Sequence, residues 1–260
     1  MLSYQHLYHA GSLADVQKHA VLAVVLDYLT RKDKPLSYLE THAGRGLYDL
    51  AAPEALKTAE AAQGIVRAEA EGWFAPEHPY ARALARCRAS HGPDAYPGSP
   101  LIAAQALRPA DSLHLAELHP AEFAALTEAM APFPNVHLHR EDGLKLALSR
   151  TPPTPRRGLI VIDPSYELKS DYAALPPLIA ALHRKWNVGL VLLWYPLLPE
   201  APHAPMLAAL EAAGYPGALR HEVRFPPARA GHRMQGSGLF LVNAPWGLEA
   251  ELGRLSAHFA

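Results

Sequence analysis

The reading of this chain turns on residues 159–167, "LIVIDPSYE". Four apolar residues in a row fit a strand covered on both faces, and such strands belong to parallel sheets. An acid, a rigid proline and an aromatic ring follow at once as Asp163, Pro164 and Tyr166, with Ser165 between. Open parallel sheets bind ligands at the carboxyl ends of their strands, so this junction is the first place to look for chemistry.

Outward from it, strand-like runs recur at 36–41, 112–118, 136–142, 188–194, 221–225 and 238–243, which with 158–163 makes seven. Helical spacing marks 120–131, 143–149, 172–186, 203–213 and 247–259. Ahead of the first strand, "LADVQKHAVLAVVLDYLTRK" (13–32) is apolar at helical spacing and closed by basic residues, as a helix end prefers. Alternating strands and helices imply an α/β fold with a mostly parallel sheet covered on both faces. About 70 residues separate the first two strands, where a simple βαβ unit needs roughly 30. The surplus reads as a small helical insertion. The expected layout is 1–50 as N-terminal helix and start of the core, 51–98 as a helical insertion subdomain, and 99–260 as the rest of the core. Ser99 is expected to cap a helix with Pro100 in its first position.

A chain of 260 residues can bury a large single core. Its apolar runs, such as "VGLVLLW" (188–194), are far shorter than the roughly 20 residues of a bilayer-spanning helix. The start, "MLSYQHLYHAG", lacks both the basic lead and the apolar core of a signal peptide, so a cytoplasmic location and no membrane partner are expected. Cys87 is the only cysteine, which excludes an internal disulfide and a cysteine-cluster zinc site. Within "ARALARCRAS" it reads as an ordinary small apolar residue of a helix. The net charge of -1 supplies no overall basic field for nucleic acid, so such a partner would rest on local patches. Candidates are Arg82, Arg86 and Arg88, the pair Arg156 and Arg157, and the run Arg220, Arg224, Arg229 and Arg233, each of which also reads as solvated surface charge.

Polar residues stand at strand end after strand end. "THAGRG" places Gly44 and Gly46 where the backbone can turn tightly and approach a ligand, without the full glycine fingerprint of a dinucleotide site. Glu117 ends the second strand where nucleotide folds place an acid for the ribose hydroxyls; the plainer alternative is a surface acid at the start of a helix. Asp142 with Gly143 ends the third and could accept from an adenine amine, or simply cap the helix after it. Together these describe a pocket for an adenosine-like group with no phosphate-binding lysine. The N-terminal run places Tyr4, His6, Tyr8 and His9 within a few residues, with Lys18 and His19 on the helix behind, a cluster fit to line a site.

Asp163-Pro164-Ser165-Tyr166 resembles the Asp-Pro-Pro-Tyr signature of amino-methyltransferases acting on adenine or other planar amines. The lone pair of an adenine amine is delocalised into its ring. Two acceptors aimed at its hydrogens, the Asp163 carboxylate and the Pro164 carbonyl, would draw the nitrogen toward tetrahedral geometry, while the Tyr166 ring stacks on the flipped base. The alternative is a strand-terminating turn, for which Asp and Pro are common.

With "YLETHAGRGLYDL", "YPGSPLIAAQAL", "LAELHP", "EDG", "LWYP" and "SGLFLVNAPW" added, the chain closely resembles, nearly end to end, the bacterial 23S ribosomal RNA adenine-N6 methyltransferase family, formerly known as a DNA-utilisation protein family. The resemblance implies a Rossmann-like class I methyltransferase core of seven strands with a helical insertion after the first, and S-adenosylmethionine as methyl donor. It further implies cofactor contacts at His19, His42, Ser99, Glu117, Asp142, Gly143 and Asp163, catalysis by Asp163 with Pro164 and Tyr166, and an RNA-facing role for Tyr4 with His6 and Lys18. The partner would be 23S rRNA, protein-free or in early assembly, bound by a monomer that needs no metal. Two positions depart from the family: Ser165 stands where a second proline is usual, and Arg45 where alanine is usual. Three other readings are open at this level. They are a DNA adenine methyltransferase, a nucleic-acid binder without catalysis, and a metal hydrolase built on His137 and His139, which share a strand face.

Overall fold

A computed structural model describes residues 5–227, 231 and 233–259. Its main sheet contains β1 (Ser37–Glu40), β4 (Ser112–Ala116), β5 (Val136–His139), β6 (Gly158–Ile162), β7 (Leu190–Leu197), β8 (Leu219–Arg224) and β9 (Gly236–Val242). The spatial order is β5-β4-β1-β6-β7-β9-β8, and every neighbouring pair is parallel except the two made by β9. The order is doubly wound with one antiparallel strand slipped in beside the last, as the resemblance to class I methyltransferases implies. The seven expected runs are these seven strands. β7 extends past its expected end at Trp194 through Tyr195, Pro196 and Leu197. Its pairing with β6 stops at Leu193, so the missing N–H of Pro196 falls beyond that ladder.

Both faces of the sheet are apolar, which is why the strands read as unbroken hydrophobic runs. Tyr38, Leu159, Val161, Leu192, Leu239 and Leu241 point into one core; Leu39, Ile160, Ile162, Leu193 and Phe240 point into the other. The first core is covered by α1 (Leu13–Thr30), α5 (Ser99–Ala106) and α10 (Leu248–Ser256), the second by α7 (Gly143–Arg150), α8 (Ser170–Lys185) and α9 (Ala204–Ala212). α6 (Pro120–Met130) follows β4. α1 is buried nearly all round, from Leu13 to Leu29, because a further layer lies outside it.

That layer comes from the long interval after β1. It holds α2 (Pro53–Thr58), α3 (Arg67–Ala70) and α4 (Pro79–His91), and an antiparallel pair of β2 (Leu47–Asp49) with β3 (Ala95–Pro97). Tyr80, Leu84, Cys87 and Tyr96 share one core with Val16 and Ala20 of α1, and Cys87 is fully buried there. One pair of strands carried no signal in the sequence, and one expectation needs correction. β2 and β3 are only three residues each, too short for any periodicity to announce them. Ser99 does not cap α5: Gly98 is the cap, Ser99 is the first helical residue, and its hydroxyl donates to the buried carboxyl of Glu40.

Strand β6 lies close against β1 at its start. A methyl group on Gly158 would come within 1.9 Å of the Ser37 carbonyl oxygen, a backbone atom that cannot swing aside. Gly158→Ala is therefore expected to lower the melting temperature by roughly 5–10 °C, the range for a strained core substitution of a few kcal/mol. An unchanged thermal melt would mean that the two strands can part without cost.

Candidate active site

The carboxyl ends of β1, β4, β5 and β6 open into one cavity of about 540 Å³, within the range of small-ligand sites. His42, Glu117, Asp142, Gly143 and Asp163 line it from the strand ends, His6, Lys18 and His19 from the N-terminal side, and Ser99, Pro164 and Tyr166 complete the wall. The site residues implied by the resemblance therefore converge on one space, apart from Tyr4, which falls outside the described residues; of the rest of the N-terminal cluster His9 lines it and Tyr8 does not.

A buried cation holds one side of the cavity together. The Lys18 ammonium lies 2.6 Å from Asp163 Oδ2 and 3.3 Å from Asp15 Oδ1, and its side chain is 6% exposed. Burial works against the charge, but Asp163 and Asp15 outweigh it and hold the lysine above its ordinary value. Burial also opposes ionisation of Asp15, yet His6 and Lys18 keep it well below the usual carboxylate range. Asp15 further accepts from the Gly11 amide and lies 2.9 Å from His6 Nε2. His19, enclosed beside them with Nδ1 2.8 Å from the Tyr96 hydroxyl, is pushed down to about 3 by burial and stays neutral.

The opposite wall is organised by backbone. Gly44 and Gly46 both have positive φ, +63° and +76°, which lets the loop after β1 fold back over the end of β4. Glu117 accepts from the Gly44 amide at 2.8 Å and from the His119 amide at 2.7 Å. Asp142 does what a plain cap does, accepting from Leu144 and Lys145 at the start of α7, while still facing the cavity. Arg45, beside the glycines, neither fills space nor waits for a phosphate: its guanidinium forms a two-pronged pair with the buried Glu122 of α6, at 2.6 and 2.9 Å. The loop is thus pinned twice to the far side of the cavity.

Tyr166 has φ +54°, a conformation rare for a bulky residue and one that recurs at functional sites. Its hydroxyl donates to the Trp194 carbonyl at 2.7 Å, and its ring lies 4.5 Å from that of Tyr172. Ser165 is exposed at the tip of the turn, so its departure from proline disturbs no packed neighbour.

The other candidates separate from this site. Arg82 and Arg88 pair with Asp27 and Glu69, Arg220 with Glu211 and Glu222, and Arg233, which reaches the cavity rim, with Glu200. Arg229 lies outside the described residues. His137 and His139 stack on His114 at the sheet edge, and no group of three metal-ligating side chains occurs among the described residues. No helix there is long and apolar enough to cross a membrane.

Sequence reasoning missed Asp15, Glu40 and Trp194. The signal for Asp15 was present, since residues 15, 18 and 19 share one face of an otherwise apolar helix. Glu40 stood inside a wholly buried strand, where an acid must be partnered. It accepts from Tyr38 and Ser99; burial pushes its carboxyl up to about 8, although both hydrogen bonds and the Lys18 charge pull it back. An acid raised on folding stabilises most below its unfolded value, near 4.5, and that contribution is lost as the pH rises through about 8. Glu40→Gln should accordingly flatten the loss of melting temperature between pH 5 and pH 9. Parallel curves for variant and wild type would mean that Glu40 ionises as freely folded as unfolded.

The donor set suits S-adenosylmethionine. Carboxylates dominate the wall, as a sulfonium and an amine require, and Lys18 and Arg233 are already paired, leaving no lysine or arginine among the described lining residues for a pyrophosphate. The family profile described as "Ribosomal RNA large subunit methyltransferase D, RlmJ" matches residues 33–260. A protein of Escherichia coli K12 named "Ribosomal RNA large subunit methyltransferase J" is 38% identical over 256 residues, 98% of this chain and 91% of that protein. Its namesake from Haemophilus influenzae is 36% identical, covering 97% and 90%. The crystal structure of protein LPL1258 from Legionella pneumophila superposes with a TM-score of 0.86 at 34% identity, over 96% of this chain and 92% of that one. With the match running through every strand end described above, the chain belongs to the RlmJ family of ribosomal RNA large subunit methyltransferases.

Proposed function

We propose that the cavity methylates the exocyclic N6 amine of an adenine in 23S ribosomal RNA, with Asp163 and Pro164 as acceptors for the amine hydrogens and Tyr166 as the stacking surface. Membership of the family makes the chain an S-adenosylmethionine-dependent methyltransferase of large-subunit rRNA, and it favours RNA over the DNA alternative and over a binder without catalysis. The observation that carries the residue assignment is a single cavity walled on one side by Glu117 and Asp142 and on the other by Asp163, Pro164 and Tyr166.

When bound, S-adenosylmethionine supplies an electrophilic methyl group. Glu117, Asp142 with Gly143, His42 and Ser99 would hold the donor, His19 would close its inner side, and Gly44 brings backbone close to it. Asp163 is the pivot: one oxygen is fixed by Lys18, so the carboxylate is oriented before any base arrives. Asp163 and Pro164, by accepting the amine hydrogens, would leave the nitrogen lone pair free to take the methyl group that the cofactor supplies, the sulfur keeping the electron pair of the broken bond. The proton that the nitrogen then gives up passes to Asp163 or through it to solvent. Lys18 and His6 hold the acceptor side in place, and with Tyr4 they would face the RNA. Because a base must leave its stack to enter so recessed a cavity, the reading takes as substrate 23S rRNA that is protein-free or early in assembly. It also takes one chain to act alone, in the cytoplasm.

Asp163→Asn preserves shape but presents an amide where two hydrogens must be accepted. Methyl incorporation into RNA is expected to fall about a hundredfold or more, with the fold intact by circular dichroism; retained turnover would exclude this role. Tyr166→Ala should lose roughly 1–3 kcal/mol of RNA binding if the ring stacks on the base, and unchanged affinity and rate would remove stacking from the account.

A further inference from the structure

At the end of the sheet opposite the cavity, cations gather without carboxylate partners. α1 and α8 finish where the strands start, and basic residues are favoured at helix C-termini. Lys32, Lys34, Arg156, Arg184 and Lys185 are all exposed there, and none forms a carboxylate pair within 4.0 Å among the described residues. Hydrogen bonds tie them into one surface. Arg157 donates to the carbonyls of Leu29 and Lys34, and Arg156 to that of Lys185; Arg108, itself paired with Asp111 and Asp33, braces the carbonyls of Lys32 and Lys34. Elsewhere Arg45, Arg67, Arg82, Arg88, Arg220 and Arg254 each meet a carboxylate, while the other cations without one, such as Lys57, Arg86 and Arg140, are scattered along the chain. In a chain of net charge -1, an unmatched cluster is a local excess that a helix-end preference alone would not concentrate.

An aromatic ring stands at the same end. Trp246 is 91% exposed, the most of any large apolar residue described. Its loop is fixed by Asn243, which donates to the carbonyls of Asn187 and Gly189, two and four residues beyond Lys185. Unmatched cations beside an exposed indole are the two components of a surface for unpaired nucleic acid, charge for the phosphates and a π-face for a base.

We propose that this end of the protein, Lys32, Lys34, Arg156, Arg184 and Lys185 with Trp246, is a second RNA-binding surface that grips the substrate remote from the cavity. The proposal rests on the reading of the cavity as an rRNA methylation site. The cavity wall is itself rich in carboxylates and repels a phosphate backbone, so anchorage elsewhere has a physical reason. The five residues of β6 set the two surfaces roughly 17 Å apart along the strands, and the RNA would run over a flank of the protein to reach both.

The test measures binding of a protein-free 23S rRNA fragment, across several salt concentrations, to the full chain, to K32E/K34E/R184E/K185E and to W246A. The charge variant should bind about tenfold more weakly or worse, and its dependence of log K on log salt should be shallower by about 3. W246A, with no charge altered, should bind about fivefold more weakly. S-adenosylmethionine affinity and methylation at saturating RNA should be unchanged in both. If the reversed charges impair folding, the glutamine version of the same four positions gives the same readout. RNA affinity and salt slope equal to wild type in folded variants would overturn the proposal, including the case in which the surface binds an acidic polypeptide such as polyglutamate instead. Failure of the cavity reading looks different: the unaltered protein would then transfer no methyl group to any RNA.

Discussion

The Lys18 ammonium, enclosed between Asp15 and Asp163, is the constraint on which the rest of the site depends. It joins α1 to the end of β6 at the point where a buried helix passes the mouth of a buried strand. A charge there is costly alone and tolerable only with its partners present, and removing one member of a buried pair typically costs about 3–5 kcal/mol. The same contact holds the carboxylate that faces the cavity. Under the proposed mechanism stability and catalysis draw on one interaction, and α4 packs on the outer side of α1 within the same core.

Across the cavity the arrangement is the reverse, backbone and surface loops rather than a buried pair. The glycine turn after β1 is held by Glu117 through an amide and by Glu122 through Arg45. On the proposed assignment, the cofactor side is held through a glycine loop and the acceptor side through a buried ion pair. That division suits a reaction in which orientation of a weak nucleophile is the main contribution of the protein.

Much of this was legible in the sequence because the physics behind it is local or periodic. The seven strands of the sheet announced themselves as apolar runs, and the polar residues just after them fell at one edge because parallel strands all point the same way. Asp163, Glu117 and Asp142 were found on that ground alone. Less local features were not legible. The β2–β3 pair has too few residues to show a pattern, and Ser99 looked like a cap because its neighbours Gly98 and Pro100 suit one, whereas a strand far away in sequence supplied Glu40 as its partner. Arg45 could not be assigned before α6 was seen to bring Glu122 within reach. In each case the deciding contact joins residues about 50 or more positions apart, which spacing rules do not encode.

The central claim is that these strand ends form a site for methylating an adenine of large-subunit RNA. Its most direct test is transfer of labelled methyl groups from S-adenosylmethionine to protein-free large-subunit rRNA, unmodified small-subunit rRNA and duplex DNA, followed by nucleoside analysis. The account predicts N6-methyladenosine in the large-subunit RNA alone. Absence of label from all three polymers, with cofactor binding intact, would contradict it.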